Sequence, residues 1–474
     1  MDKTTRYLAI DLGASHSRVI LGTLHAEKFD IEIIHRFTTP LIEENNHLFW
    51  DIDLIRDELQ KGLEKALDST DNLLSISVSS WGVDYVPLDA NGRALRKPYS
   101  YRDGRTRSIL DEVHARISEV AFYRKTGIKS MPINTLYQVY HDSRYEPDIF
   151  RNTVARLTIA DYFNYLFSGK KVVEKSLAST TQMLDMKKNR WATDLLEQLE
   201  LLDGAWPEIV PSGTILGNVK NHPFLQTIAS CSHDTACAVA TVSAINSRPQ
   251  RAFLSSGTWS LIGVERSTPI LTDQALHAGF TNESGPGDSI RFLKNLTGLW
   301  VLQECEKEWK KLGQSYTYEQ LMDEAGSFAE SGPVPLVDLN EPQFGEPGNM
   351  ISKLLACCEK GPLPIPQSRG AQVATILKSL ANSYAETINE LNHITGENIG
   401  IIHIVGGGSQ NRLLCKWTAD LSGCKVLAGP VEATAIGNII LQAQALGSLP
   451  AGKTWRTLFH NFANLATYFP DKNQ

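Results

Sequence analysis

No run of about 18 apolar residues occurs anywhere in this 474-residue chain, so the sequence offers no helix to span a bilayer. Positive charge is not concentrated either. Lys and Arg number 46 against 53 Asp and Glu, a formal net charge of −7. The most basic stretch, Met186-Lys187-Lys188-Asn189-Arg190, is short and reads as a solvated loop. Nucleic acid is therefore not an expected partner. Cysteine is sparse: seven residues, at 231, 237, 305, 357, 358, 415 and 424, with no CxxC and no histidines at ligand spacing. A zinc site is not expected, and free thiols in a reducing cytoplasm are. The amino end, Met1 to Arg6, leads into a strand without an apolar signal region. No GxGxxG follows its first strand, which argues against a nicotinamide enzyme.

What is present is globular: 42 % hydrophobic and 21 % charged residues, at a length that suits two or three domains. Arg6 to Ile10 is a short apolar run, Asp11 to Arg18 a polar turn of small residues, and Val19 to Gly22 a second strand. Such a turn lets backbone N–H groups approach an anion, and Asp11 at its edge suits magnesium; an ordinary hairpin with an Asp-initiated turn explains the same letters. Phe29 to Phe37 alternates as a third strand, and Asp53 to Leu67 places Leu54, Ile55, Leu59 and Leu63 on one helical face behind Asp51 or Asp53 as cap. Leu73 to Ser80 is a further strand. It runs into Trp81-Gly82-Val83-Asp84, where an aromatic face and a carboxylate suit a sugar, or equally a core Trp and a turn Asp.

Later segments repeat these themes. Ile245 to Gln250 reads as a linker. Ala252 to Gly263 repeats the strand, small polar turn and strand of the opening, which suggests an internal duplication. Leu293 to Gln303 reads as a turn entering a helix, and Ser331 to Gly370, rich in Pro and Gly, as mostly irregular surface. Val373, Ile376, Leu377, Leu380, Tyr384, Ile388 and Leu391 mark a long helix ending near Gly396. Ile399 to Val405 is a buried strand followed by Gly406-Gly407-Gly408, a turn where backbone can lie against a ligand. Ala428 to Asn438 opens another helix, and the residues after Pro470 are expected to fray.

The centre of the chain is Ala229-Ser230-Cys231-Ser232-His233-Asp234-Thr235-Ala236, a polar turn entering a helix of small residues. Asp234 at the junction is either an N-cap or a general base aimed at a substrate hydroxyl.

Together these pieces resemble the actin/hexokinase/Hsp70 nucleotide-binding architecture, and within it the FGGY carbohydrate kinases, from about Tyr7 to about Thr467. The resemblance is carried by Asp11-Leu12-Gly13-Ala14-Ser15, Trp81-Gly82-Val83-Asp84, Tyr101-Arg102-Asp103, Asn134 to Gln138, Ser232 to Thr235, Leu254 to Leu261, Lys294-Asn295, Ile404 to Gly408 and Gly429 to Ala433. It implies an α/β fold of two actin-like (ribonuclease H-like) domains, each a mixed sheet flanked by helices, with the active site in a cleft between them. The expected division is 1–245 for sugar and catalytic base and 246–474 for nucleotide. It implies Asp234 as the base; Gly13, Ala14, Ser15, His16, Ser17, Thr258, Gln303 and Gly407 as nucleotide contacts; Gly82, His233, Asp234, Thr235 and Asn295 as sugar contacts; and Asp11 as the magnesium carboxylate. ATP and Mg²⁺ are the implied cofactors. The implied reaction phosphorylates the 1-hydroxyl of a deoxy-ketose, L-rhamnulose first, with L-fuculose and D-xylulose as rivals. A cytoplasmic monomer or dimer is expected. A non-catalytic actin-like ATP-binding protein is the distant alternative. Two departures stand out: Ser17 replaces a usual glycine, and the literal Phe-Gly-Gly-Tyr string is absent.

Overall fold

The computed structural model describes residues 4–25, 28–243, 250–449, 452, 454 and 465–471. The linker assigned to Ile245–Gln250 falls, except for Gln250, outside the described residues, as do Met1 to Lys3 and the last three residues. The chain forms two compact units. The first comprises Met1–Asn246 with Glu265–Phe292 and Ala433–Phe462, and the second comprises Ser247–Val264, Leu293–Glu432 and Ala463–Gln474. Each is a mixed sheet flanked by helices.

In the first unit, six strands lie in the order Thr214–Val219, His222–Ala229, Leu73–Ser80, Thr5–Leu12, His16–His25, Lys28–Thr38. Thr5–Leu12 is central, antiparallel to His16–His25 and parallel to Leu73–Ser80. Its apolar residues are buried on both faces, because successive side chains of a strand point to opposite sides. Leu8, Ile10 and Leu12 pack with Ile55, Leu59 and Leu63 of the Ile52–Ser69 helix, which Asp51 caps by accepting from Leu54 N–H. Tyr7 and Ala9 face the other way, onto Ala435, Ile439 and Ala443 of the Ala433–Ala445 helix. That helix is also hydrogen-bonded to the sheet: Gln442 donates to the Leu8 carbonyl and accepts from the Ser75 hydroxyl.

In the second unit, Trp259–Arg266, Gln250–Ser256, Ile399–Val405, Lys425–Ala428 and Ala466–Tyr468 are successive neighbours in one sheet. The helix Arg369–Thr395 buries the whole predicted stripe from Val373 to Leu391 and ends on Gly396 at φ 68°, a left-handed position that glycine occupies without strain.

Three expectations are corrected. The first turn is narrower than Asp11 to Arg18, because Asp11 and Leu12 are already paired in register with Arg18 and Ser17. Leu293–Thr297 belongs to a strand, and the helix starts only at Trp300. The Ser331–Gly370 stretch contains the helix Met350–Cys358, which buries Met350, Leu354 and Cys358 at spacings of four, with Val334, Leu339 and Phe344 buried nearby in the chain. Frequent Pro and Gly punctuate this segment without preventing a short amphipathic helix.

Candidate active site

In the first unit the site begins where the His222–Ala229 strand gives way to the helix Asp234–Ser243. The connecting turn is pinned from beneath by two buried carboxylates. Glu174 accepts from the Ser232 N–H at 2.8 Å, and Asp161 accepts from the Ser232 hydroxyl at 2.6 Å. The Ser176 hydroxyl donates to Glu174, and its oxygen accepts from the His233 N–H at 3.0 Å. On the strand side, Ser80 N–H donates to the Ser232 carbonyl at 2.8 Å. Burial raises both carboxyls, Asp161 to about 7, and the donors hold that rise in check.

This scaffold excludes the cap reading of Asp234. The first helical bond runs from Cys237 N–H to the His233 carbonyl, so His233 occupies the cap position. The Asp234 carboxylate accepts instead from its neighbour Thr235, from the N–H at 2.5 Å and the hydroxyl at 3.1 Å. An N-cap side chain accepts from an amide two or three residues on. The Asp234 side chain keeps 28 % exposure among otherwise buried neighbours. Burial, then the charge of Asp11, push its carboxyl up to about 7, against the Thr235 bonds and the Arg291 charge. Two carboxylates thus face one region of the first unit. Oxygen donors of this kind suit a hard divalent cation, and the mutual repulsion is what such a cation relieves.

Gly82 lies against the same turn. A Cβ there would stand 3.1 Å from Thr180 Oγ1 and 3.3 Å from His233 Cδ2 and Nε2. Its neighbour Asp84 is not a sugar acceptor. Its fully buried carboxylate accepts from Trp50 Nε1 at 2.7 Å, Trp81 Nε1 at 3.0 Å, Tyr101 N–H at 3.1 Å and Gln138 Nε2 at 3.1 Å. Trp81 is likewise buried, 4.4 Å from the Trp50 ring. The scaffold reading of this pair holds.

In the first hairpin, Gly13, Ala14, Ser15 and His16 are partly or fully exposed, but Ser17 is buried. The Ser17 hydroxyl pairs with Thr39 Oγ1 at 2.8 Å, and Thr39 in turn donates to the Gly13 carbonyl at 2.5 Å and, through its N–H, to the Ser15 carbonyl at 3.0 Å. The residue replacing the usual glycine therefore braces the turn from behind.

The second unit gathers Thr258, Gln303 and Gly407. Thr258 lies on the second hairpin turn with its hydroxyl 3.5 Å from Gln303 Oε1. Leu299 and Trp300 donate backbone bonds to the Gly257 and Thr258 carbonyls, which places the helix carrying Gln303 against that turn. The glycine turn approaches the same hairpin, since a Cβ on Gly408 would fall 2.0 Å from Ser256 Oγ. A Cβ on Gly407 would meet no atom within 4 Å, so its backbone faces open space. Asn295, half-buried in the Ile290–Thr297 strand, also belongs to the second unit. The predicted sugar contacts are thus divided between the units.

Glu174, Asp161, Thr39 and Arg291 were not legible as site residues. Arg291 alone carries a local signal, a lone cation in the apolar run Ile290-Arg291-Phe292-Leu293.

Two glycine-bearing hairpins, a partly exposed carboxylate at a helix start and a late glycine turn fit a phosphotransferase with an alcohol group as acceptor. Residues 6–240 match the N-terminal domain, and 252–446 the C-terminal domain, of the FGGY family of carbohydrate kinases, and the chain belongs to that family. Over nearly its whole length it is similar to rhamnulokinases. It is 37 % identical to that of Bacillus subtilis (strain 168) over 472 residues, covering 98 % of this chain and 95 % of the relative. It is 39 % identical to that of Pectobacterium atrosepticum over 462 residues, covering 96 % and 91 %. Among solved structures, a gluconate kinase from Lactobacillus acidophilus superposes with a TM-score of 0.80 at 17 % identity, covering 99 % of this chain and 94 % of that one. A ligand-bound xylulose kinase from the same organism gives 0.81 at 16 % identity, covering 98 % and 94 %. At such identities these two speak for the fold alone.

Proposed function

We propose that this chain transfers the γ-phosphoryl group of ATP to the 1-hydroxyl of L-rhamnulose, with Asp234 as general base. The observation that carries the mechanism is the Asp234 carboxylate: partly exposed, not used as a cap, and raised to about 7. The choice of sugar rests on the similarity to rhamnulokinases. In the proposed step the sugar oxygen forms the new bond to phosphorus, its proton passes to Asp234, and the bond to the ADP oxygen breaks with its electron pair leaving on ADP. Gly82, whose missing side chain lets the His233 ring and Thr180 approach closely, is a proposed sugar contact with His233, Thr235 and Asn295. Gly13 to His16, Thr258, Gln303 and Gly407 are the proposed nucleotide contacts. Asp11 would hold a magnesium ion, whose charge would neutralise the phosphates. The seven cysteines, all free, fit the reducing cytoplasm proposed as its compartment.

The test is ADP release with Mg·ATP across L-rhamnulose, L-fuculose, D-xylulose, L-ribulose, glycerol and no sugar. Turnover clearly best on L-rhamnulose supports the reading. A different best sugar replaces the substrate and keeps the chemistry, whereas turnover independent of sugar overturns the kinase mechanism.

The pH dependence carries its own sign. A base must be ionised, so kcat/KM for the sugar falls about tenfold per pH unit below the carboxyl's value of about 7. Raising magnesium from limiting to saturating moves this acid limb to lower pH, because a cation at Asp11 cancels the like-charge repulsion. For stability the sign is opposite. A carboxyl raised on folding opposes the fold at pH above 7, and that opposition fades as pH falls towards the ordinary Asp value. Rate profiles at the two magnesium levels check the first two statements, and a limb that does not move with magnesium removes Asp11 from the cation site.

A further inference from the structure

His233 stands beside the proposed base, and what its ring offers a substrate depends on which nitrogen carries the proton. We infer that Arg291, itself held by Glu283, is a positioning residue that fixes His233 as the Nε2–H tautomer, so that the ring presents a donor beside the Asp234 acceptor.

The argument rests on donor count. Arg291 lies in the Ile290–Thr297 strand with its side chain fully buried. Its Nη2 lies 3.2 Å from His233 Nδ1 and 2.9 Å from Glu283 Oε2, and its Nε donates to the Ser284 carbonyl at 3.2 Å. A guanidinium has donors and no acceptor. His233 Nδ1 must therefore receive this bond on a lone pair, and a neutral imidazole then carries its one proton on Nε2. The ring stays neutral, because burial and the adjacent Arg291 charge hold its pKa well below the ordinary value. Glu283 balances the guanidinium and orients it, so the cation is not left unpaired in the interior.

The Nε2–H is not used within the protein's own turn. It lies 3.8 Å from Asp234 Oδ1, beyond hydrogen-bond distance, and packs close to the Gly82 backbone, where a Cβ would stand 3.3 Å from it. Donor and acceptor then stand side by side. A polyol that gives one hydroxyl proton to Asp234 and accepts at a nearby oxygen from His233 satisfies both. The opposite tautomer would set a lone pair next to a carboxylate and repel that arrangement. This use of the donor rests on the proposed kinase reading; the tautomer itself does not.

The experiment is long-range ¹H–¹⁵N correlation on the full chain labelled at its 12 histidines, with the His233 signals identified by their loss in His233→Gln. The expected spectrum shows His233 protonated at Nε2, bare at Nδ1 and without titration near the ordinary histidine value. A proton on Nδ1, or a normal titration, overturns the inference whether or not the protein phosphorylates any sugar. Arg291→Lys keeps a donor at Nδ1 and should keep the tautomer. Arg291→Met should give a mixed or titrating ring and raise the KM for the sugar about tenfold, with a smaller change in kcat, as for loss of one oriented hydrogen bond. An Arg291→Met protein with an unchanged ring and KM refutes the role. If that variant does not fold, the spectrum of the unaltered protein decides.

Discussion

Asp234→Ala is expected to lower sugar-dependent ADP formation by about 10²–10⁴-fold, the range that a positioned general base contributes. The structure gives reason to expect the fold to survive. The side chain's hydrogen bonds are both with its own neighbour Thr235, and the first helical bond is anchored on the His233 carbonyl, which the substitution leaves in place. Removing a carboxyl that burial and Asp11 hold above its ordinary range also relieves repulsion. The thermal midpoint should therefore be unchanged or slightly higher while turnover collapses. Asp234→Asn separates shape from chemistry, since it preserves size and an acceptor oxygen but takes no proton. Both variants should be similarly slow. Near-normal turnover in either one would falsify the assignment of Asp234 as base.

The second large effect is expected from a glycine far from that carboxylate in sequence. Gly437 lies inside the Ala433–Ala445 helix, and a Cβ there would stand 1.9 Å from the Cys237 carbonyl oxygen and 2.7 Å from its carbon. These are backbone atoms, so no rotamer change relieves the overlap, and the two helices must separate. The Ala433–Ala445 helix is tied to the sheet through Gln442, to the Leu8 carbonyl at 3.1 Å and the Ser75 hydroxyl at 2.6 Å. The strain therefore falls largely on the helix Asp234–Ser243, which carries the proposed base. Overpacking of this kind costs about 3 kcal/mol, or roughly 5 °C in the unfolding midpoint of a unit this large. Gly437→Ala should lower both stability and kcat. Gly22→Ala is the control. The three atoms nearest its added Cβ all belong to the Ile439 side chain, with Cδ1 at 2.5 Å and Cγ2 at 2.8 Å, so the overlap falls on a side chain and not on the backbone of the Asp234–Ser243 helix. Equal midpoints for the two variants would show that the backbone contact does not govern this crossing.

The sequence by itself determined most of the elements around the two hairpins and the helix that starts at Asp234. An apolar run marked the strand of Tyr7 to Ile10, and small residues bounded by strands marked both hairpins; helical spacing marked Ile55, Leu59 and Leu63, but also Leu54, which is exposed. Asp234 was visible because it stands at a turn-to-helix junction, a local feature that a window of ten residues contains.

Tertiary structure decided what each polar group is for. Asp84 has the same letter and a similar turn setting, yet four donors from Trp50, Trp81, Tyr101 and Gln138 consume its oxygens, and three of those residues lie 17 to 54 positions away in the chain. The loop before Asp234 is fixed by Glu174 and Asp161, 58 and 71 positions from Ser232. The tautomer of His233 is set by Arg291, 58 positions further along, in a stretch that joins the first unit although it follows that unit's main body in sequence. Side-chain periodicity reports which face of an element is buried, and that is a local property. Whether a buried carboxylate or imidazole meets an amide, a cation or open space depends on segments that only folding brings beside it.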